Sequence, residues 1–229
     1  MLIRSAHLKA LALKGGRPKA APPFFVFSTY FVLSNAQTSS FHIHHRLTRL
    51  KIDPLSYHIA LGSNLDDRMA NLQYAVEQLG CLPGGSINGV SPVYESAAHV
   101  MPGAPPQPAY LNAVLHIQTS LQPRALLRRC LNIESARGRN RKLEQRWQAR
   151  TLDIDLLCCS NTQIDGSDLT LPHPRIAERL FVLLPLSEID MDLHIPPPFD
   201  RNVRYLLEHC PDQSSIKRSA HILKVPESR

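Results

Sequence analysis

Hydrophobic and polar positions change period several times along the chain, and each change predicts an element. Tyr57-His58-Ile59-Ala60-Leu61-Gly62 is a short buried strand closing at a glycine turn. Leu65, Met69, Leu72, Val76 and Leu79 then recur at alternating spacings of four and three. That is the period of an amphipathic helix, with Asp66 and Asp67 in its first turn and Gly80 just past its end. After a Gly84-Gly85 turn, Ile87 to Glu95 predicts a strand in which Pro92 forces a bulge or an edge. Ser96 to Ala109 has no period and is a long loop. Tyr110 to Thr119 is a central strand. Pro123 suits the first position of a second helix, carrying Leu126, Leu127, Cys130, Leu131 and Ile133 and stopping at Gly138.

The last strand of this series, Arg150 to Leu157, returns to a period of two. Leu152, Ile154 and Leu156 turn to a core while Asp153 and Asp155 stand together on the other face. In order the elements run β-α-β-β-α-β. This predicts an α+β fold of the ferredoxin-like kind, an antiparallel sheet with both helices on one face and the other face free for chemistry. Further elements follow: a proline-locked stretch from Leu169 to Arg175, a helix from Ile176 to Leu184, and a short helix from Val203 to His209. From Asp212 the sequence is polar and is expected to fray.

Charge divides the chain. The net charge is +7, yet residues 1 to 52 hold eight Lys/Arg and no acid, leaving 18 Lys/Arg against 19 Asp/Glu beyond them. The basicity belongs to the extension and says little about nucleic-acid affinity of the folded part. Residues 1 to 52 are expected to be a leader or upstream sequence read in frame, 53 to 210 the folded domain, and 211 to 229 a tail. The leader's apolar run, Pro22 to Leu33, is too short to span a membrane. Its His42, His44 and His45 are expected to lie in a disordered tail rather than on a metal. Five cysteines, an odd number without a C-x-x-C pair, argue against a disulfide framework and for a reducing, cytoplasmic setting.

Two adjacent carboxylates repel unless a cation sits between them, and Mg2+ takes one or two carboxylates together with phosphate oxygens. Alone, Asp-x-Asp is more readily a pair of solvated acids on a half-exposed strand. Ahead of it, however, come Arg137, Arg139, Arg141, Lys142, Arg146 and Arg150, with Glu144 the only acid among them. A cationic loop feeding an anionic strand suits a polyphosphate that arrives with metal. A solvated loop, or one that binds nucleic-acid phosphates, is the other reading. An RNA-binding module using residues 137 to 150 would need aromatics on its open face, and the Tyr110 to Thr119 strand has none beyond Tyr110. A P-loop kinase is excluded because no G-x-x-x-x-G-K-[ST] occurs.

From about Tyr57 to about Cys210 the chain resembles the 6-hydroxymethyl-7,8-dihydropterin pyrophosphokinase family. The likeness is carried by Ala60 to Leu65, Tyr110 to Ala113, Glu134 to Arg139, Arg146 to Leu157, Leu171 to Arg175 and Glu178 to Leu186. The resemblance implies transfer of a pyrophosphoryl group from ATP to the pterin hydroxymethyl by a monomer that binds neither nucleic acid nor membrane. It implies that Asp153 and Asp155 hold two Mg2+ ions and that Arg139 and Arg150 steady the charge of transfer. Glu134, Arg141, Lys142, Trp147, His173 and Arg179 are implied ATP contacts. Ser96, Tyr110, Asn112 and Phe181 are implied pterin contacts. Two places depart from the family pattern: the loop after Tyr94 runs Glu95-Ser96-Ala97-Ala98-His99-Val100 and is long, and Gln148-Ala149 replaces the usual Gly-Pro before Arg150.

Overall fold

A computed structural model describes residues 53–98, 103, 105–139 and 148–226. The leader and the C-terminal three residues lie outside the described residues, as do 99–102, 104 and 140–147. The first half of the chain forms β1 (Leu55–Ser63), α1 (Arg68–Gly80), β2 (Ser86–Val90), β3 (Tyr94–Ser96), β4 (Tyr110–Thr119), α2 (Pro123–Ala136) and β5 (Asp153–Cys159). After these come β6 (Ile164–Asp165), β7 (Thr170–Leu171), a 3-10 turn (Ile176–Glu178), α3 (Leu180–Ser187), β8 (His194–Ile195), β9 (Arg201–Asn202), α4 (Val203–Glu208) and β10 (Ile216–Arg218). The main sheet has six antiparallel strands in the order β10-β3-β4-β1-β5, with β2 also on β4.

Local chemistry sets the helix ends. Asp67 is not in the first turn of α1 but caps it, its Oδ1 accepting the Ala70 N–H at 3.0 Å. Pro123 opens α2 as expected, and the chain leaves that helix through Gly138 at φ +86°, a conformation glycine adopts without a Cβ clash. Leu72, Ala75, Val76 and Leu79 of α1 pack with Leu126, Cys130 and Ile133 of α2 over one sheet face, on Tyr57, Ile59, Leu61, Leu111, Leu115, Ile117, Ile154 and Leu156. At about 1.5–3 kcal/mol for each large apolar side chain buried, this layer is the main stabilising term.

Other expectations change as well. The strand predicted over Ile87 to Glu95 is two strands on the same partner, split where Pro92 has no N–H to donate. Ser91 bridges the gap: its N–H donates to Val114 O at 3.0 Å and its Oγ accepts the Val114 N–H at 2.9 Å. The helix predicted from Ile176 breaks at Arg179 (φ −122°, ψ 99°) before α3 begins. The tail does not fray over its described residues: β10 pairs with β3, Leu223 is buried, and Gln73 exchanges two hydrogen bonds of 2.9 Å with Lys224.

Nor is the second sheet face free. Val114, Leu157 and Cys158 pack there against Ile176, Val182, Leu183, Leu186, Val203 and Leu206, so α3 and α4 cover much of it with a second core. A bulge in the β1–β5 register, where Ile59 pairs with Leu156 but His58 with Cys158, turns both Leu157 and Cys158 to that side. The bare face an RNA-binding module needs is absent among the described residues. What remains open is one end of the sheet, where Ala60 pairs with Val114 and Asp155, and Gly62 with Asn112 and Asp153.

Candidate active site

Ala60, Gly62, Asn112, Asp153 and Asp155 of those two cross-strand rows form the floor of a cavity of about 440 Å3. Directly paired residues share a sheet face, so the small side chains of β1, Ala60 and Gly62, leave a trough between Asn112 on β4 and the two aspartates on β5. A Cβ at Gly62 would lie 3.5 Å from the Tyr110 ring, 3.7 Å from Asn112 Oδ1 and 3.8 Å from Asp153 Cβ, so a longer side chain there fills the trough.

One wall is charged. Asp153 accepts from Arg150 Nη1 at 2.8 Å through Oδ2 and from Arg139 Nη1 through Oδ1. Asp155 Oδ2 accepts from Arg179 Nη1 at 3.0 Å and lies 4.0 Å from His173 Nε2. The break at Arg179 before α3 brings its guanidinium there, beside the Phe181 ring at 5.7 Å. His173 is held by its backbone N–H on Leu157 O at 2.7 Å, and its Nδ1 accepts the Arg175 N–H at 3.1 Å. Burial pulls the His173 imidazole below its ordinary value, with the Asp155 carboxylate opposing and Arg179 and Arg175 reinforcing. A neutral ring accepting at Nδ1 carries its proton on Nε2, facing Asp155.

The other wall is an amide and two rings. Asn112 is buried, and its Nδ2 donates to the buried Ser96 Oγ at 2.9 Å, which fixes the amide plane. Tyr110 and Phe181 also line the space. Of the residues expected from sequence, the cavity thus brings together Ser96, Tyr110, Asn112, Arg150, Asp153, Asp155, His173, Arg179 and Phe181. Arg141, Lys142 and Trp147 lie outside the described residues.

Two of the expected residues stand behind the wall. Glu134 is 1% exposed and does not line the cavity, so it is not placed as a direct ATP contact. Its Oε1 accepts from Arg139 Nη1 at 2.6 Å and from the Ile154 N–H at 2.8 Å. Arg139 is itself 7% exposed and reaches Asp153 from the interior. Residues that the sequence reading did not assign also belong here. Arg175, Gln107 and Gln148 line the cavity, while Ser63 and Asn64 hold the Arg150 segment from behind, Ser63 Oγ donating to Thr151 O at 2.5 Å. Ser63 and Asn64 had a signal: two polar residues directly after a buried strand, inside the Ala60–Leu65 motif.

The donor set fits a metal-bound polyphosphate. Among the described residues no group of three His, Cys, Asp or Glu could hold an ion on protein ligands alone, so an ion at Asp153 and Asp155 needs phosphate and water oxygens as well. Among the described residues the buried Arg150 Nε–H has no hydrogen-bond partner, a donor that an anionic oxygen would satisfy.

The family profile of 7,8-dihydro-6-hydroxymethylpterin-pyrophosphokinase (HPPK) matches residues 58–191. The 2-amino-4-hydroxy-6-hydroxymethyldihydropteridine pyrophosphokinase of Methylorubrum extorquens is 44% identical over 140 residues, 60% of this chain and 84% of the relative. That of Haemophilus influenzae is 39% identical over 163 residues, 71% of this chain and 98% of the relative. Among solved structures, an HPPK-DHPS in complex with substrates aligns with a TM-score of 0.53 at 14% identity over 68% of this chain. A Plasmodium falciparum HPPK-DHPS aligns with a TM-score of 0.52 at 13% identity over 70% of this chain. The present chain spans less than half of either, 43% and 45%, and at such identities the likeness is one of fold alone. The profile covers more than half of the chain, and nearly the whole of the Haemophilus enzyme aligns with it, so the chain belongs to the HPPK family, whose members transfer a pyrophosphoryl group from ATP to 6-hydroxymethyl-7,8-dihydropterin in folate biosynthesis.

Proposed function

We propose that the cavity divides the two substrates between its walls, ATP phosphates along Asp153, Asp155, Arg150, His173 and Arg179, and the pterin over Asn112 between Tyr110 and Phe181. The observation that carries this reading is the pair of rows on the trough floor, which sets an amide and two carboxylates on opposite sides of Gly62. In the reaction the pterin hydroxyl oxygen forms a bond to the β-phosphorus of ATP. The bond from that phosphorus to the oxygen bridging to the α-phosphorus breaks, AMP leaves, and the hydroxyl proton is released. Mg2+, two ions in this reading, supplies neutralisation of phosphate charge when bound with ATP at Asp153 and Asp155.

The chain's own residues orient and stabilise. Arg139, Arg150 and Arg179 now sit on the carboxylates. When nucleotide enters, the Arg150 and Arg179 guanidiniums turn to phosphate oxygens and free carboxylate oxygens for the ion. Arg139, held by Glu134, keeps Asp153 in place from behind, so Glu134 serves by fixing Arg139 rather than by touching ATP. Arg141, Lys142 and Trp147 complete the nucleotide side in this reading. Ser96 orients Asn112, whose remaining amide valences suit the donor and acceptor edge of a pterin. No catalytic base is needed for a transfer governed by position and charge.

The same reading takes the sheet as ferredoxin-like, supported by the order of β5, β1, β4 and the β2/β3 pair with α1 and α2 on one face. It takes the enzyme as a monomer, and as cytoplasmic on the support of four buried free cysteines that serve as apolar filler. Residues 1 to 52 are dispensable in it. The test is whether the protein, with and without that leader, forms AMP from ATP and Mg2+ only when hydroxymethyl-dihydropterin is present. AMP formation without pterin, or none with it, overturns the assignment of the walls; loss of turnover on removing the leader overturns its dispensability.

A further inference from the structure

Asn64, in the turn between β1 and α1, does not line the cavity yet joins the segments that carry both of its walls. It is 1% exposed. Its Oδ1 accepts the Arg150 N–H at 2.6 Å, its own N–H donates to Arg150 O at 3.0 Å, and the Leu65 N–H donates to that same carbonyl at 3.2 Å. From the other end of the amide, Nδ2 donates to Pro108 O at 3.2 Å. Pro108 lies two residues before Tyr110, where the long loop re-enters the sheet. A second clasp lies beside the first: Arg68 Nη1 donates to Ala109 O and to Glu95 Oε1, both at 2.8 Å, tying together the two stems of that loop.

An amide is the chemical answer to these neighbours. Arg150 N–H needs an acceptor and Pro108 C=O needs a donor, and one planar carboxamide supplies both at fixed separation. A buried group bonded this way leaves both backbones unsatisfied if it is removed, so the two segments are held in one relative position. We propose that Asn64 is a positioning residue that couples the nucleotide wall to the pterin wall. Seating phosphates on Arg150 steadies its backbone, and through Asn64 that constraint reaches Pro108 and the approach to Tyr110 and Asn112. By reciprocity, pterin binding tightens nucleotide binding by the same factor. The inference rests on the assignment of the two walls made above.

The experiment measures the pterin dissociation constant by calorimetry with and without α,β-methylene ATP and Mg2+, the methylene group replacing the bridge that breaks. The ratio of the two constants is the coupling. In Asn64→Ala the coupling falls by about tenfold, while affinity for each substrate alone changes by less than about threefold. Asn64→Asp keeps the acceptor for Arg150 but turns a carboxylate oxygen onto Pro108 O, and it too lowers the coupling. Arg68→Gln alters a part-exposed clasp without emptying the interior and lowers the coupling less; with Asn64→Asp it decides the matter if Asn64→Ala does not fold.

Asn71→Ala is the control. Asn71 is equally buried, but its side chain bonds Ser63 Oγ, Leu65 O and Arg137 and reaches neither Arg150 nor Pro108. It lowers the melting temperature and leaves the coupling unchanged. Wild-type coupling in folded Asn64→Ala or Asn64→Asp, or no coupling in the wild type, overturns the proposal while leaving the assignment of the walls intact. That assignment fails separately, if Asn112→Ala leaves pterin affinity and Asp155→Ala leaves Mg-nucleotide affinity unchanged.

Discussion

Arg139 and Arg150 flank the same basic loop and meet the same carboxylate, yet their removal should have different consequences. The side chains of Arg139 and Glu134 are 4% and 1% exposed and 2.6 Å apart. Arg139→Ala strips a buried carboxylate of its guanidinium, and breaking such a pair by removing one partner costs about 3–5 kcal/mol. In a folded region of this size each kcal/mol moves the melting temperature by about 2–4 °C, so a fall of roughly 6–20 °C is expected. Arg150, with 24% of its side chain exposed, pairs with Asp153 at 2.8 Å. Its replacement by Ala should cost no more than about 1 kcal/mol of stability.

Turnover should fall in both variants. An arginine on a transferring phosphoryl group, as Arg150 is in the proposed reading, contributes on the order of 10^3 in rate, about 4 kcal/mol at 1.36 kcal/mol per tenfold, whereas Arg139 acts through the Asp153 carboxylate that it holds. Calorimetric melting separates the stability effect, and single-turnover rates with ATP and pterin dissociation constants separate chemistry from binding. Glu134→Gln placed in an Arg139→Met background leaves an amide oxygen for the Ile154 N–H and no buried charge. It should regain much of the melting temperature and none of the rate. If Arg139→Ala melts within about 2 °C of the wild type, the burial argument fails, since that is the shift of a surface pair. If the single-turnover rate of Arg150→Ala is unchanged while ATP binding weakens, Arg150 is only a phosphate anchor.

Asp155→Ala should lower turnover by about 10^3 through lost ion ligation while melting within a few degrees of the wild type, because its carboxylate is one-third exposed. Near-normal activity at millimolar Mg2+ would remove Asp155 from the ion site. Acid should weaken the fold through His58, stacked on His116 at 4.6 Å. Burial first, and then the His116 ring, pulls His58 from an ordinary 6.5 to about 4. The unfolded chain binds that proton near 6.5 while the folded one refuses it until about 4, so stability is full above the window and is lost as pH falls through it. The loss is roughly 3 kcal/mol at 1.36 kcal/mol per unit. The drop in urea midpoint between pH 7.5 and pH 4.5 should be smaller in His58→Phe, and an equal drop would show that His58 is not its source. Ending the chain after Cys210 removes β10 and the buried Leu223, and should destabilise by about 2 kcal/mol or more, read from the same urea curves. An unshifted midpoint would mean that the tail adds nothing.

Much of what depends on near neighbours in the chain could be read from the sequence alone, though not the cap role of Asp67 or the break at Arg179. The alternation over Leu152 to Leu156 put the two aspartates on one face and their neighbours in the core, because successive side chains of a strand point to opposite sides. Pro123 and Gly138 bounded α2 for reasons internal to the backbone. Glu134, expected as an ATP contact, carried a contrary signal: it lies on the helical stripe of Leu126, Cys130 and Ile133, whose side chains turn to the interior. Its partners Arg139 and Ile154 N–H were not legible, since they depend on how α2 meets β5.

Tertiary structure decided the rest. A polar stretch with weak patterning became a sheet edge because β3 offered an unpaired strand, and pairing energy lies in the partner as much as in the sequence that joins it. The sheet face expected to be free was covered because Val114, Leu157 and Cys158 present apolar surface that α3 and α4 bury, leaving chemistry only at the end where Ala60 and Gly62 are too small to fill the space. Asn64 meets Pro108 and Arg150 across 44 and 86 residues of sequence. Hydrogen bonds between segments so far apart are set only when the sheet between them has closed.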